Sequence, residues 1–475
     1  MGITAKTAVA EAYGILGEYH RLRKAGLITE RGDFFPSVHY PPITMYPPIT
    51  EEQLFAGYRP PPDDLFAVYA HIPFCTRPCA FCHYPGKYSA TLEEKNLYLD
   101  TIAQETDLYM ARLGISRIRA RCVLIGGGTP TDLTPKQLRG FLDAFTRRVD
   151  LSSCTQFSYD VDPSTLLGAD GARRLEIMRS YGVDRLTIGA QSLNDAVLKK
   201  MNRAHDAAGV AAAIEASKKA GFKLNIEFIF GYPGQTPENW AEVVAKAAGL
   251  GVEEIQLYRL KIAPYGDKTG PVFGHFEHRP EEFPSVPETL VMKKAAMLIL
   301  NAHGYHENLT RVFSKERKDF SHYAADQCCN LYDQIGLGLT AFSSLRDRFG
   351  LNTQDFGEYY SQIKAGRLPL NRGLVRDRET QARWAIILPL KNRDVPKALY
   401  QQRAGMSLDG LFREKIGLLK AGGLLAESAA ALALTPLGRF FADEVCHQFH
   451  HPAHIPFPKA AYAAGDLNPH EHNRL

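Results

Sequence analysis

Cys75, Cys79 and Cys82 fall within the segment YAHIPFCTRPCAFCHY, and their Cys-x3-Cys-x2-Cys spacing lets three thiolates converge on one small, soft centre. The other five of the eight cysteines are scattered: Cys122, Cys154 and Cys446 stand alone and Cys328-Cys329 is an adjacent pair. Thiolates suit both iron–sulfur clusters and zinc. Structural zinc normally takes four ligands, so three thiols leave either a fourth protein ligand, for which the adjacent His83 is the candidate, or an open position. Neighbouring residues have poor freedom to bind one tetrahedral ion together, which favours a cluster over zinc or an inert cysteine group.

Other residue types in the chain suit a bound ligand. Gly126-Gly127-Gly128-Thr129 follow an apolar run, where absent side chains either let the backbone approach a ligand or make a tight turn. Gln191 can donate and accept hydrogen bonds, and Arg203 offers a fixed fork suited to a carboxylate, although each taken singly is more often a surface or structural polar residue. Tyr69, six residues before Cys75, reads equally as core. Asp160 and Glu227 stand at the ends of predicted strands, where two carboxylates could serve as general acid and base or bind ribose hydroxyls. His447, His450, His451 and His454 read as a solvated C-terminal face rather than a metal site. Cys328-Cys329 read as buried free thiols rather than a redox pair.

These residues need a scaffold. Six short apolar runs, at 65–72, 121–126, 155–161, 184–190, 223–230 and 253–260, alternate with predicted helices at 92–112, 135–148, 168–181, 194–219 and 236–250. Strands spaced by helices imply parallel βαβ units. The fold class expected is therefore α/β, a partial six-stranded parallel (β/α)6 barrel with chemistry at the C-terminal strand ends. Residues 1–64 predict a helix near Ala8–Lys24, then an extended segment rich in proline (Pro36, Pro41, Pro42, Pro47, Pro48, Pro60, Pro61, Pro62) lying over a domain. Residues 65–290 form the barrel, and 291–375 a connecting, substrate-side segment. Residues 376–475 form a mainly helical, winged-helix-like C-terminal domain and tail.

Composition sets the outer bounds. At 475 residues, 45% hydrophobic and 23% charged, the chain has the profile of a folded protein rather than a disordered one. Lys+Arg 56 against Asp+Glu 52 gives +4, too small an excess to signal nucleic acid. No run approaches the roughly 18 apolar residues of a membrane helix. The first thirty residues carry charges throughout, which predicts no secretory signal and a cytoplasmic protein.

Taken together, the motifs carry a resemblance. Cys75-x3-Cys79-x2-Cys82, with Phe81 before the last cysteine, resembles the radical SAM signature. HIPFC, LIGGGTPT at 124–131, LTIGAQSL at 186–193, MNRAHD at 201–206 and IEFIFGYPGQT at 226–236 resemble the HemN-like group. That group contains oxygen-independent coproporphyrinogen III oxidase, haem chaperones and class C radical SAM methylases. The resemblance implies a 4Fe-4S cluster on the three cysteines and one or two molecules of S-adenosylmethionine (SAM). It implies that Gly127, Gly128 and Thr129 support the methionine amino group, Arg203 holds the carboxylate and Gln191 helps hold the sugar. Asp160 and Glu227 position the ligand, Phe81 flanks the cluster, and Tyr69, beside the sulfonium, is the catalytic candidate. The segment at 333–344 (DQIGLGLTAFSS) resembles a substrate-side segment.

Two departures stand out. The oxidase pattern has Glu where Asp160 stands and Asp where Glu227 stands. It also continues Cys-x-Cys, whereas this chain has Cys82-His83-Tyr84-Pro85. The missing cysteine shifts the expectation toward radical methyl or methylene transfer to a conjugated heteroaromatic or tetrapyrrole substrate, with a flavodoxin- or ferredoxin-type electron donor. The alternatives are the coproporphyrinogen decarboxylase and a haem chaperone without turnover, in which His83 is a candidate axial ligand. A nucleic-acid-binding winged helix is the most remote reading.

Overall fold

Strands buried on both faces need continuous apolar runs, and each of the six predicted runs is a strand: β1 (Leu65–Ile72), β2 (Ile118–Gly127), β3 (Phe157–Val161), β4 (Arg185–Gln191), β5 (Lys223–Phe230) and β6 (Glu254–Arg259). The computed structural model describes residues 3–29, 39–262 and 270–454; Pro36 and the predicted tail after 454 lie outside them. The six strands pair in parallel, in the spatial order β6-β5-β4-β3-β2-β1. The fold is α/β with a mainly parallel central sheet.

The intervening helices start where capping chemistry places them. Thr91, Thr134 and Thr236 each close a capping box ahead of the helices Leu92–Leu113, Pro135–Arg148 and Pro237–Gly249. The predicted helix 194–219 is two helices, Asp195–Lys200 and Ala207–Lys219. Asn202 breaks it with φ +57, and Asp206 starts the second by accepting the Gly209 N–H. The break carries Arg203 and His205, so it is part of the site.

The sheet runs beyond six strands. β7 (His306–Leu309) and β8 (Val312–Ser314) extend it antiparallel past β6. On the other edge β9 (Gln334–Leu337) adds a seventh parallel strand beside β1, followed by antiparallel β10 (Phe342–Leu345), β11 (Arg348–Asn352) and β12 (Leu370–Val375). The segment 333–344, expected on the substrate side, is thus a strand and turn of the sheet. Its glycines are required there: a Cβ at Gly336 would overlap the Phe342 carbonyl, and one at Gly338, at φ +100, would stand 2.5 Å from Tyr98 Oη.

The N-terminal helix is also two, Ala5–Ala12 and Ile15–Lys24. Ala8, Val9 and Ala12 enter the barrel core, while Ile15, Tyr19 and Leu22 enter a second core with Trp384, Phe412 and Val445. The pair therefore stitches the barrel to the C-terminal lobe. That lobe combines the helices Arg378–Asn392, Lys397–Ala404 and Leu408–Ala421 with a three-stranded antiparallel sheet, β13 (Asp394–Pro396), β15 (Ala431–Leu434) and β14 (Leu425–Glu427), in that order. The histidines expected on a solvated face are drawn in instead: His450 is buried, with its ring against Tyr40 at a 4.9 Å centroid distance. Cys329 is buried and free, and Cys328 is free and half-buried. Among the described residues no helix is long and apolar enough to cross a membrane.

Candidate active site

β1 runs straight into the cysteine loop. Phe74–Cys75 pairs in parallel with Lys87–Tyr88, which fixes both ends of the segment carrying Cys79 and Cys82. The middle of the loop is held by the helix break opposite. The Ala80 N–H donates to the Met201 carbonyl at 3.1 Å, and the Asn202 amide to the Pro78 carbonyl at 2.6 Å. His83 Nε2 lies 3.0 Å from the Lys261 carbonyl just past β6. That contact engages one ring nitrogen and fixes the orientation of the imidazole beside the cysteine loop. Among the described residues no three His, Cys, Asp or Glu side chains converge on a single ion, whereas a four-iron cluster takes each thiolate on a different iron.

The thiols sit in a cradle suited to a cluster. Thr129 Oγ1 donates to Cys75 Sγ at 3.5 Å, and Arg203 Nη1 to Cys79 Sγ at 3.0 Å. A Cβ on Gly128 would stand 2.8 Å from Cys75 Sγ and 2.8 Å from the Phe74 carbonyl, so only glycine keeps the thiol in place. Burial pushes the free Cys75 thiol up to about 12 and raises Cys82 as well, so deprotonation there needs a cationic partner of the kind a metal supplies. Phe81 is half-buried against Val197, Met201, Ile229 and Tyr232 and closes the loop on its apolar side.

The strand ends bring the remaining predicted residues to the same mouth. Tyr69 on β1 bonds His71 Nδ1 through its hydroxyl at 2.9 Å. Gly126 lies directly beneath: a Cβ there would come 2.5 Å from Asp160 Oδ2 and 3.2 Å from the Tyr69 ring. Gly127 has φ +126, and a Cβ on it would strike the Ile72 backbone. Gln191 closes β4 with φ +65, the left-handed strain that non-glycine residues tolerate mainly at functional sites. Glu227 is not at a strand end as expected; it projects from the middle of β5, where it accepts the Tyr258 hydroxyl at 3.2 Å.

Arg203 is more committed than its sequence suggests. Nη2 donates to Asp162 Oδ2 at 2.7 Å and to the Gly189 carbonyl at 2.7 Å, while Nε–H is buried with no hydrogen-bond partner among the described residues. Asp162 also accepts the Ser164 N–H and hydroxyl, and His205 Nδ1 lies 3.6 Å away. Burial opposes the Asp162 charge, yet His205, the Arg203 guanidinium and Ser164 outweigh it and hold this carboxyl well below the usual range. His71, Asp162 and His205 are site residues that sequence reasoning did not select. The first and last lie inside HIPFC and MNRAHD, motifs read for their neighbours.

Two family models match the chain. The radical SAM superfamily model matches residues 69–247, and the HemN C-terminal domain model matches residues 377–441. Together the two matches place the chain's similarity with the HemN-like group of the radical SAM superfamily. Heme chaperone HemW of Bacillus subtilis is 29% identical over 392 residues, covering 81% of this chain and 98% of the relative. Oxygen-independent coproporphyrinogen III oxidase of Escherichia coli is 25% identical over 406 residues, covering 82% and 86%. The solved coproporphyrinogen III oxidase HemN from Escherichia coli superposes with a TM-score of 0.69 at 24% identity, covering 82% of this chain and 90% of that one.

Radical SAM proteins use a 4Fe-4S cluster and SAM, and the three thiols, their two side-chain donors and the bare Gly128 fit that cluster. Beside them Asp160 and Glu227 form a half-buried acidic pair. Burial raises both carboxyls, and for Glu227 the nearby Asp160 charge adds to it, while Arg185 pulls both down. Each carboxyl is therefore held toward its protonated form, and a ligand offering hydroxyl donors relieves that cost. Beneath lies the buried Arg185–Glu254 ion pair at 2.7 Å, which ties β4 to β6 below the pocket.

Proposed function

We propose that this radical SAM enzyme handles a tetrapyrrole, on the haem-chaperone side of its group rather than as a propionate decarboxylase. The observation that carries the reading is Tyr84. It stands where the oxidase pattern has its additional cysteine, and the residue is 66% exposed beside the cysteine loop, with a ring rather than a thiol. An aromatic face of this kind suits a planar macrocycle. The near end-to-end match to a heme chaperone supports the same side.

In this reading Cys75, Cys79 and Cys82 hold the cluster. Together, cluster and SAM supply one-electron cleavage of the sulfonium to methionine and a 5′-deoxyadenosyl radical. Gly126, Gly127 and Gly128 let the end of β2 pack against Tyr69, Ile72 and Cys75 beside SAM, with Thr129 at its amino end. Arg203 meets the carboxylate through its buried Nε–H, and Gln191, Asp160 and Glu227 take the ribose hydroxyls. Phe81 and the apolar side chains behind it keep water from the cluster. A flavodoxin- or ferredoxin-type protein delivers the electron, in a cytoplasmic setting suited to the five cysteines outside the cluster, all free thiols. Methyl or methylene transfer draws no support from the relatives compared, and the same assay reports it.

The test is anaerobic reconstitution with iron, sulfide, reductant and SAM, with haem or coproporphyrinogen III added. We expect 5′-deoxyadenosine that Cys79→Ala abolishes, a shift of the haem absorption band on binding, and unchanged coproporphyrinogen. Vinyl product with carbon dioxide would assign the decarboxylase instead. S-adenosylhomocysteine beside deoxyadenosine would assign methyl transfer, and absence of haem binding would remove the chaperone reading.

A further inference from the structure

Two side-chain donors point at the sulfurs of this site, and neither is needed to build the loop. The loop backbone is held by Met201, Asn202 and the Lys87–Tyr88 strand. Arg203 and Thr129 reach the thiols themselves, Arg203 Nη1 at 3.0 Å from Cys79 Sγ and Thr129 Oγ1 at 3.5 Å from Cys75 Sγ. We propose that Arg203, supported by Thr129, sets the reduction potential of the cluster by donating to its cysteine sulfurs.

The geometry separates this role from that of a ligand clamp. A guanidinium that only gripped a SAM carboxylate would turn its free edge to the pocket. Here the fork is anchored from behind. Asp162 Oδ1 is tied to Ser164, and its Oδ2 takes Nη2 at 2.7 Å together with the Gly189 carbonyl at 2.7 Å. With Nη2 spent on those two acceptors, Nη1 is aimed at Cys79. The Arg203 side chain is 9% exposed, so its charge acts with little screening by water.

A donor to a ligating sulfur, and a cation beside it, draw electron density from the cluster and favour the reduced state, which raises the potential. Arg203 carries both effects and Thr129 only the first, over a longer contact. The order of influence is therefore Arg203 well ahead of Thr129. Physically this makes the cluster easier for an external donor to reduce.

The inference rests on the three thiols holding the cluster, and its test is designed to keep the two separable. Arg203→Gln, Arg203→Lys and Thr129→Val are reconstituted anaerobically, and iron and sulfide are counted before any potential is measured. Mediated titration is then followed by the electron paramagnetic resonance of the reduced cluster, without SAM. Arg203→Gln is expected to shift the oxidised-to-reduced ratio at fixed poise at least tenfold toward oxidised, about 59 mV for a one-electron couple. Thr129→Val should shift it in the same direction by less, and Arg203→Lys should fall between Arg203→Gln and the parent.

Full cluster content with an unmoved potential in all three variants, and loss only of SAM affinity, would overturn the proposal and leave Arg203 as a carboxylate clamp. Cluster loss in Cys79→Ser with full cluster in Thr129→Val supports the ligand assignment on which the inference depends. Full cluster content in Cys79→Ser, Cys75→Ser and Cys82→Ser would instead remove that assignment and the inference with it.

Discussion

At the scale of single residues, this site is built as much from missing side chains as from present ones. Gly126, Gly127 and Gly128 lie against Asp160, the Ile72 backbone and Cys75 in turn, and each contact is closer than a Cβ permits. At Gly128 the obstacles are the Cys75 sulfur and the Phe74 backbone carbonyl, neither of which can move aside cheaply. Gly128→Ala is therefore expected to lose more than half of its reconstituted iron and sulfide while its far-ultraviolet circular dichroism stays native. Gly140→Ala, inside the helix Pro135–Arg148 with nothing within 4 Å of a Cβ, is the control. It should keep full iron and gain about 0.5–1 kcal/mol of stability from helix propensity.

At the scale of elements, the edge of the sheet depends on one buried carboxylate. Glu105, on the helix Leu92–Leu113, accepts the Gly338 N–H at 2.7 Å, the Asn352 amide at 2.6 Å and the Tyr359 hydroxyl at 2.6 Å. Burial pushes its carboxyl up to about 7 despite these three donors. It joins a helix on the barrel exterior to the turn after β9, to β11 and to the helix Phe356–Lys364. Glu105→Ala leaves three buried donors without an acceptor, an expected loss of about 3–5 kcal/mol. Urea unfolding followed by fluorescence measures it; a loss below about 1 kcal/mol would mean that another group satisfies these donors.

At the scale of the whole molecule, the C-terminal lobe is locked to the N-terminal segment by groups that must stay neutral. Burial, with the neighbouring His447, holds His450 down at about 3, and burial holds His447 at about 4. Tyr40 meets this face directly, its hydroxyl accepting the His451 N–H at 3.0 Å. A histidine whose folded value is depressed contributes stability that is fully present above its unfolded value, about 6.5, and is lost as pH falls toward the folded value. His450 alone accounts for up to about 3 kcal/mol by pH 4. The thermal midpoint should therefore drop between pH 6.5 and 4, and His450→Asn should flatten that drop. Equal slopes in both proteins would show that other groups govern acid unfolding.

Local pattern was enough to read the six central strands, the helix Pro135–Arg148 to the residue, and the cysteine motif, because burial on both faces, capping and ligand spacing are all written over a few neighbouring residues. The alternation that revealed the barrel failed beyond residue 265 because β10, β11 and β12 are short and pair antiparallel, and tight turns rather than helices join β9 to β10 and β10 to β11. The chain also could not disclose that Arg203 reaches Asp162, 41 residues away, and Cys79, 124 residues away. Nor could it disclose that His83 turns to Lys261, 178 residues on. Residue type and spacing determined the metal chemistry and the parallel βα scaffold by themselves. Closure of the barrel mouth decided which donors face which sulfurs, because strands distant in sequence meet there only after the sheet has twisted and packed.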